Sequence, residues 1–383
     1  MDAVELLQQL IRIPSLSGEE KAIAEFLKQS LDAFCDECWI DELNDVVGII
    51  KGKKSGPVIM FNGHIDHADV GKMNEPYSGA LMAGEAWNEP GQVVYGRGAS
   101  DNKGAIAAML SAAAELSTDR NFGGTLILTA VALEETGKGT GIKKVLQDLQ
   151  DKSIKPDIVL SGECTNLDIC LGHRGKVEFL LEVQGKTAHA SNPSNGNNAI
   201  LLMKEFIDRW GAVKLPRHPI LGQCTSALSN ISCKPGRPGI IPDLCYLNFD
   251  RRCLPGETVE AIEQEVLEVI NEVSEKGTRF QFDLKVIQTA KPVLTSEDNP
   301  FVGCLAESIK KYAKEPDIRG WLFGTDANFI VNDFGIPTLG LGPGEEVYAH
   351  TPDDHVPVNH LEICKAIYKD FVENAAQGAV LKN

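Results

Sequence analysis

The chain has 383 residues, 43% of them hydrophobic, and a formal net charge of −17. That is apolar material enough for a large core and, on length, for about two domains rather than a disordered tail. The acidic balance excludes the basic face that nucleic acid or an anionic membrane surface would demand.

The stretch 1–20 has an amphipathic helical pattern and early acids, with neither a basic n-region nor a long apolar run. No later stretch offers the roughly 18 consecutive apolar residues of a spanning helix. A cytoplasmic protein is therefore expected. Ser17 to Glu20 matches the S-x-x-E capping box and should open a helix carrying Ala22, Ile23, Phe26 and Leu27. Ten cysteines are too sparse for a disulfide scaffold. Cys35 and Cys38, the close pair, lack the second pair or histidines that a zinc ribbon needs.

Apolar runs at 58–61, 125–133 and 157–160, bounded by glycine, proline or acids, read as buried strands, and 104–116 and 140–149 as helices. That alternation is the rhythm of a largely parallel sheet. The first run leads into His64-Ile65-Asp66. Residues i and i+2 share a face, so His64 can ligate a metal while Asp66 accepts from its other ring nitrogen and fixes the tautomer. A capped loop with a satisfied histidine fits the same three residues. In Tyr95 to Gly104 the glycines permit close backbone approach, and Asp101 sits just before an alanine-rich helix, as either a metal ligand or an N-cap.

The second run ends in Glu134-Glu135. Two adjacent carboxylates repel, so a buried pair needs positive charge, whereas a solvated turn does not. A dinuclear centre would supply it, with Glu135 on a metal, Glu134 as general base and then acid, and Asp101 as the bridging ligand. Glu163 follows the third run in the same way, and His350 lies in a turn-rich loop before the last helix, 361–375. Two divalent ions about 3.5–4 Å apart require this inventory of one bridging carboxylate, a histidine and a carboxylate for each, and a free carboxylate for protons.

The rhythm changes near Val177. Strands at 177–183, 226–233, 244–250 and 279–286 alternate with helices at 198–210 and 257–273, which suggests an inserted α+β domain. From Asn299 the longer alternation returns. No internal repeat or low-complexity segment is visible.

Taken in order, Gly63-His64-Ile65-Asp66, the run from Gly96 to Gly104, Glu134-Glu135-Thr136-Gly137, Gly162-Glu163, Thr187 to Ser191, Asp250-Arg251-Arg252 and Gly342-Pro343-Gly344 with His350-Thr351-Pro352 resemble the motifs of the M20 metallohydrolases. That family includes acetylornithine deacetylases, succinyl-diaminopimelate desuccinylases, carboxypeptidases and di- and tripeptidases. The resemblance spans essentially the whole chain. It implies an α/β fold: a phosphorylase/hydrolase-like mixed-sheet catalytic domain over 1–175 and 288–383, and an inserted α+β, ferredoxin-like lid and dimerisation domain over 176–287.

It further implies that Asp101 bridges two divalent ions, zinc by default with cobalt or manganese as alternatives. His64 and Glu163 would complete one site, and Glu135 and His350 the other. Glu134 would be the general acid/base, Asp66 the orienter of His64, and the Asp101–Asn102 peptide cis. His189 would hold the oxyanion across a homodimer interface, and Arg251 would take a substrate carboxylate. Glutamate rather than aspartate at 163 tilts the expected substrate towards a small N-acyl amino acid rather than a short peptide. Two stretches depart from many relatives: Gly239-Ile240-Ile241-Pro242 where they read Asn-x-Ile-Pro, and Asn328 at the end of Gly324-Thr325-Asp326-Ala327 where they have arginine. The stretches 66–70 and 162–169 are most similar to members linked to selenium metabolism.

Overall fold

The computed structural model describes residues 1–275 and 281–379. The chain divides into two compact units, Met1–Gly172 with Leu294–Asn383, and His173–Val293.

The first unit is built on a nine-stranded mixed sheet. Its order is Glu37–Ile40, Val46–Lys51, Gly123–Val131, Lys54–His64, Ile158–Ser161, Thr338–Gly340, Ile169–His173 and Val293–Leu294, with Ile318–Trp321 paired to Ile169–His173. The central strands run parallel and the flanking ones antiparallel. Central strands buried on both faces must be apolar throughout, which is why they read as continuous runs. Met60, Ile127 and Val159 face the helix Thr140–Asp151 through Ile142, Val145 and Leu146. On the opposite face Phe61 meets Tyr368 of the helix Val358–Ala379 with ring centroids 5.2 Å apart.

The structure corrects the start of the second helix. Ser17 does not cap it: the helix runs Lys21–Asp32, and its N-cap residue Glu20 makes no side-chain capping bond. Glu20 accepts instead from the Gly18 and Leu133 amides, while the Ser17 hydroxyl donates to Asp66. The strand expected to reach residue 133 ends at Val131, so Glu134 lies on a short helical turn after Leu133. A small three-stranded sheet absent from the sequence reading joins Ala80–Ala83, Gln92–Tyr95 and His355–Pro357.

In the second unit an antiparallel sheet runs in the order Ser226–Lys234, Leu244–Cys253, Gly175–Gln184, Gln281–Ala290. Residues 279–280 of the expected last strand lie outside the described residues. The helices Ala199–Trp210 and Val259–Glu275 share a core with the inward-facing alternate residues of the strands, centred on Phe179, Phe206, Trp210 and Phe249.

Candidate metal centre

Strand register gathers the candidate ligands. Lys54–His64 pairs in parallel with Gly123–Val131, putting His64 opposite Val131, and with Ile158–Ser161, putting Asn62 opposite Ser161. Two residues further along both strands, His64 and Glu163 lie side by side, and Glu134-Glu135 leaves the third strand at the same edge. Glycine is needed where the strands meet the neighbouring helix: a Cβ on Gly162 would sit 2.6 Å from the Ala105 Cβ. Parallel strand ends are where such folds hold their chemistry.

Asp101 comes from a tightly held loop. Gly98 has φ +82°, and the Asp101–Asn102 peptide is cis, as the resemblance implies. The fully buried Asp354 grips this loop, accepting from the amides of Gly98 at 2.7 Å and Ser100 at 2.9 Å, the Ser100 hydroxyl at 2.7 Å and the Arg97 guanidinium at 3.2 Å. Asp354 follows His350 by four residues, so it ties the loops of two candidate ligands together. Lys103, also buried, donates to the carbonyls of Leu10 and Ile13 at 3.1 and 2.9 Å, and burial brings its ammonium down to about 7.

The two oxygens of Asp101 face different imidazoles: Oδ1 is 2.8 Å from His64 Nε2 and Oδ2 is 3.0 Å from His350 Nε2. Glu163 stands on the His64 side at 3.9 Å, and Glu135 on the His350 side at 3.0 Å. Ligand atoms of His64, Asp101 and Glu135 lie within 4.8 Å of one another. Asp101, Glu134, Glu135, Glu163 and His350 all line one cavity of about 270 Å³, walled further by Phe323, Gly324 and Glu346. His350 itself has φ +61°, as does Leu133 beside Glu134. Side chains this bulky rarely adopt that conformation, so both turns hold strain of about 1–3 kcal/mol each that the surrounding fold must overcome.

The electrostatics call for cations. Burial raises Glu163 to about 8 and Asp326 to about 7, and it raises Glu134 well above the carboxylate range, helped by the charges of Asp326, Glu163 and Asp101. Hydrogen bonds donated to Asp101 and Glu135 lift His350 to about 10. Burial works against a charge on His64, yet the hydrogen bonds to Asp101 and Asp66 prevail and raise it. For Asp101 the same contest of burial against His350 and His64 ends in a lowered carboxyl. Glu163 Oε2 is buried without a hydrogen-bond partner among the described residues. Carboxylates and imidazoles converging on one point, with an unsatisfied buried oxygen among them, fit divalent ions of the zinc, cobalt or manganese type. Binding such ions releases the protons that the imidazoles and carboxyls otherwise share.

Asp66 does more than expected and does it differently. His64 Nδ1 is 3.0 Å from the Asp66 backbone carbonyl and only 3.5 Å from the carboxylate. The carboxylate instead accepts from the amides of Glu134 and Glu135, both at 3.1 Å, and from Ser17 at 2.7 Å. It thereby fixes the turn that presents both glutamates.

His189 and Arg251 belong to the second unit. His189 is exposed on the short strand Ala188–His189, paired with Ile240–Ile241, and its Nδ1 contacts the Ser191 hydroxyl at 2.7 Å. Arg251 is 2% exposed, with its guanidinium held by Glu257 at 2.7 and 3.0 Å and by Glu265 at 3.1 and 3.2 Å. The carboxylate-binding part expected of Arg251 is corrected here: those donors are spent inside the unit. Period-two alternation turns Arg251 towards the helices with Phe249 and Leu247, and Arg252 to the other face. Sequence reasoning missed Asp354, whose only signal was its place in the His350 motif, and Ser17, hidden behind its apparent capping role.

A model of peptidase family M20/M25/M40 matches residues 60–374. The uncharacterized protein YgeY of Escherichia coli K12 is 28% identical, over 96% of this chain and 93% of that protein. The acetylornithine deacetylase of Buchnera aphidicola subsp. Schizaphis graminum is 26% identical, covering 97% of both chains. Among solved structures, YxeP of Bacillus subtilis, described as a dinuclear metal-binding peptidase, superposes with a TM-score of 0.73 at 16% identity, covering 98% of each chain.

Proposed function

The chain belongs to peptidase family M20/M25/M40, whose members are metal-dependent hydrolases, and on that premise we propose that it cleaves the amide bond of a small N-acylated amino acid. The observation that carries this reading is Asp101, whose two oxygens each face a different imidazole, with Glu163 and Glu135 one on either side. His64, Asp101 and Glu163 would hold one divalent ion and Glu135, Asp101 and His350 the other, zinc being the first choice.

Bound there, such ions polarise a carbonyl and make water a usable nucleophile near neutral pH. The protein's own part falls to Glu134, which makes no ligand contact in the set above and whose carboxyl burial raises well above the usual carboxylate range, as suits a group that must both take up and return a proton. It takes a proton from the attacking water and returns it to the leaving nitrogen. Asp66 keeps Glu134 aimed through its amide. His189 donates to the oxyanion, and the smaller unit serves as lid and dimerisation element, as the family resemblance implies. Arg252 takes over the carboxylate-pairing part first given to Arg251.

Relatives named for deacylation match the chain over nearly its whole length, and glutamate at 163 favours the same branch. A carboxy- or dipeptidase is the second reading, favoured by likeness to solved peptidases. The test is hydrolysis of N-acetyl-ornithine, N-acetyl-methionine, N-succinyl-diaminopimelate and alanyl-alanine by chelator-stripped protein with zinc, cobalt or manganese restored. Release from acylated amino acids supports the deacylase; turnover of dipeptides alone moves the protein to the peptidase branch.

A further inference from the structure

The close cysteine pair in sequence is not the pair the fold brings together. Cys233 on Ser226–Lys234 and Cys245 on Leu244–Cys253 are direct antiparallel partners, and their sulfurs are 3.0 Å apart, closer than ordinary non-bonded contact. Opposed residues on antiparallel strands have Cα atoms about 4.5–5.5 Å apart, within the range of about 4.4–6.8 Å that a disulfide spans. No backbone movement is needed to join them. Cys245 lies in the core of the second unit, whereas Cys233 is half-buried on the strand that forms the sheet's edge. One thiol is therefore reachable from solvent and the other waits directly behind it.

We propose that Cys233 and Cys245 form a thiol–disulfide exchange site that takes an oxidised low-molecular-weight thiol of the glutathione disulfide class. The Cys233 thiolate attacks one sulfur of the small disulfide, forming a mixed disulfide and expelling one thiolate. The Cys245 thiolate then attacks the Cys233 sulfur, the second small thiolate leaves, and the cross-strand bond forms. The two protons lost by the cysteines go to the two small thiols. Two protein thiols are oxidised and one small disulfide is reduced, so no further oxidant is required. Cys233, half-buried on the edge strand, is the thiol that meets the small disulfide, and Cys245, buried behind it with its thiol held up at about 12 by burial and the neighbouring Cys233, is the resolving one.

The site stands independently of the proposed hydrolase activity. The test is intact mass and peptide mapping of the whole chain after incubation with glutathione disulfide. The unsubstituted protein should lose two hydrogens, regain them with dithiothreitol, and yield a peptide joining Cys233 to Cys245. Cys245→Ser should instead retain one glutathione on Cys233, and Cys233→Ser should give neither product. An unchanged mass, a stable glutathione adduct on the unsubstituted chain, or a cross-link mapping to another pair such as Cys35 and Cys38 would overturn the proposal.

Discussion

Replacing Asp354 with alanine should damage the metal centre without touching a ligand. The carboxylate is fully buried and accepts from two amides, one hydroxyl and the Arg97 guanidinium, itself only 2% exposed. Removing one partner of a buried ion pair costs about 3–5 kcal/mol, because the other charge is left without compensation. Each orphaned buried amide or hydroxyl adds about 1–3 kcal/mol before relaxation. These losses share one loop and do not add in full. Water entering the vacated space and movement of residues 97–100 recover part, leaving an expected loss of roughly 4 kcal/mol, a large fraction of the ~5–15 kcal/mol that holds a typical domain folded. Asp354→Asn keeps the shape and one acceptor, so it should cost about half as much. Urea titration of metal-stripped protein gives the stability change from the midpoint at constant slope. Competition with a chelator gives zinc affinity, which should fall in both variants because the loop carries Asp101. A loss below about 1 kcal/mol for Asp354→Ala, with zinc affinity unchanged, would show that Asp354 does not hold the loop and would refute the reasoning.

Three further outcomes follow from the same geometry. Glu134→Gln should lower kcat by about 10²–10⁴ while leaving bound metal unchanged, since it removes the proton-transfer group and no ligand; equal losses of metal would recast Glu134 as a ligand. Asp66→Asn should weaken zinc binding and turnover by about 10–100-fold, through the turn bearing Glu134 and Glu135; chelator competition beside steady-state kinetics reads both. His360 is depressed to about 4, by burial first and then by the Lys314 charge, and its Nδ1 accepts from the Gly344 amide. A histidine whose folded value lies below its ordinary 6.5 keeps the native state neutral while the unfolded chain takes up a proton. Stability should therefore be complete above about pH 6.5 and fall by up to roughly 3 kcal/mol as pH drops towards 4. His360→Gln should flatten that part of the profile, and denaturation midpoints across the window would reveal an unaltered slope if the assignment were mistaken.

The main sheet was legible because its central strands are buried on both faces and so appear as unbroken apolar runs, and His64, Glu135 and Glu163 because each follows the end of such a run. What escaped was long-range. Ser17 has the local signature of a helix cap, yet its hydroxyl finds Asp66 across 49 positions of sequence. Asp354 gives no local signal of the loop it grips some 250 residues earlier. The short strands Gln92–Tyr95 and His355–Pro357 are too brief and proline-flanked to declare a period, and only their pairing makes them strands. Arg251 is different, because its signal was present and passed over. It stands an even number of residues from Phe249, Leu247 and Cys245, so alternation alone turns it to the core side and leaves Arg252 on the other face.

Metal stoichiometry tied to turnover tests the central claim most directly. The chelator-stripped chain, titrated with zinc and assayed on N-acetyl amino acids, should bind two ions per chain and gain activity only as they are restored. His350→Ala, which removes a donor from one side of Asp101 alone, should hold one ion tightly and the other weakly. A single ion per chain at saturation, or undiminished hydrolysis by the stripped protein, would contradict a dinuclear hydrolase built on Asp101.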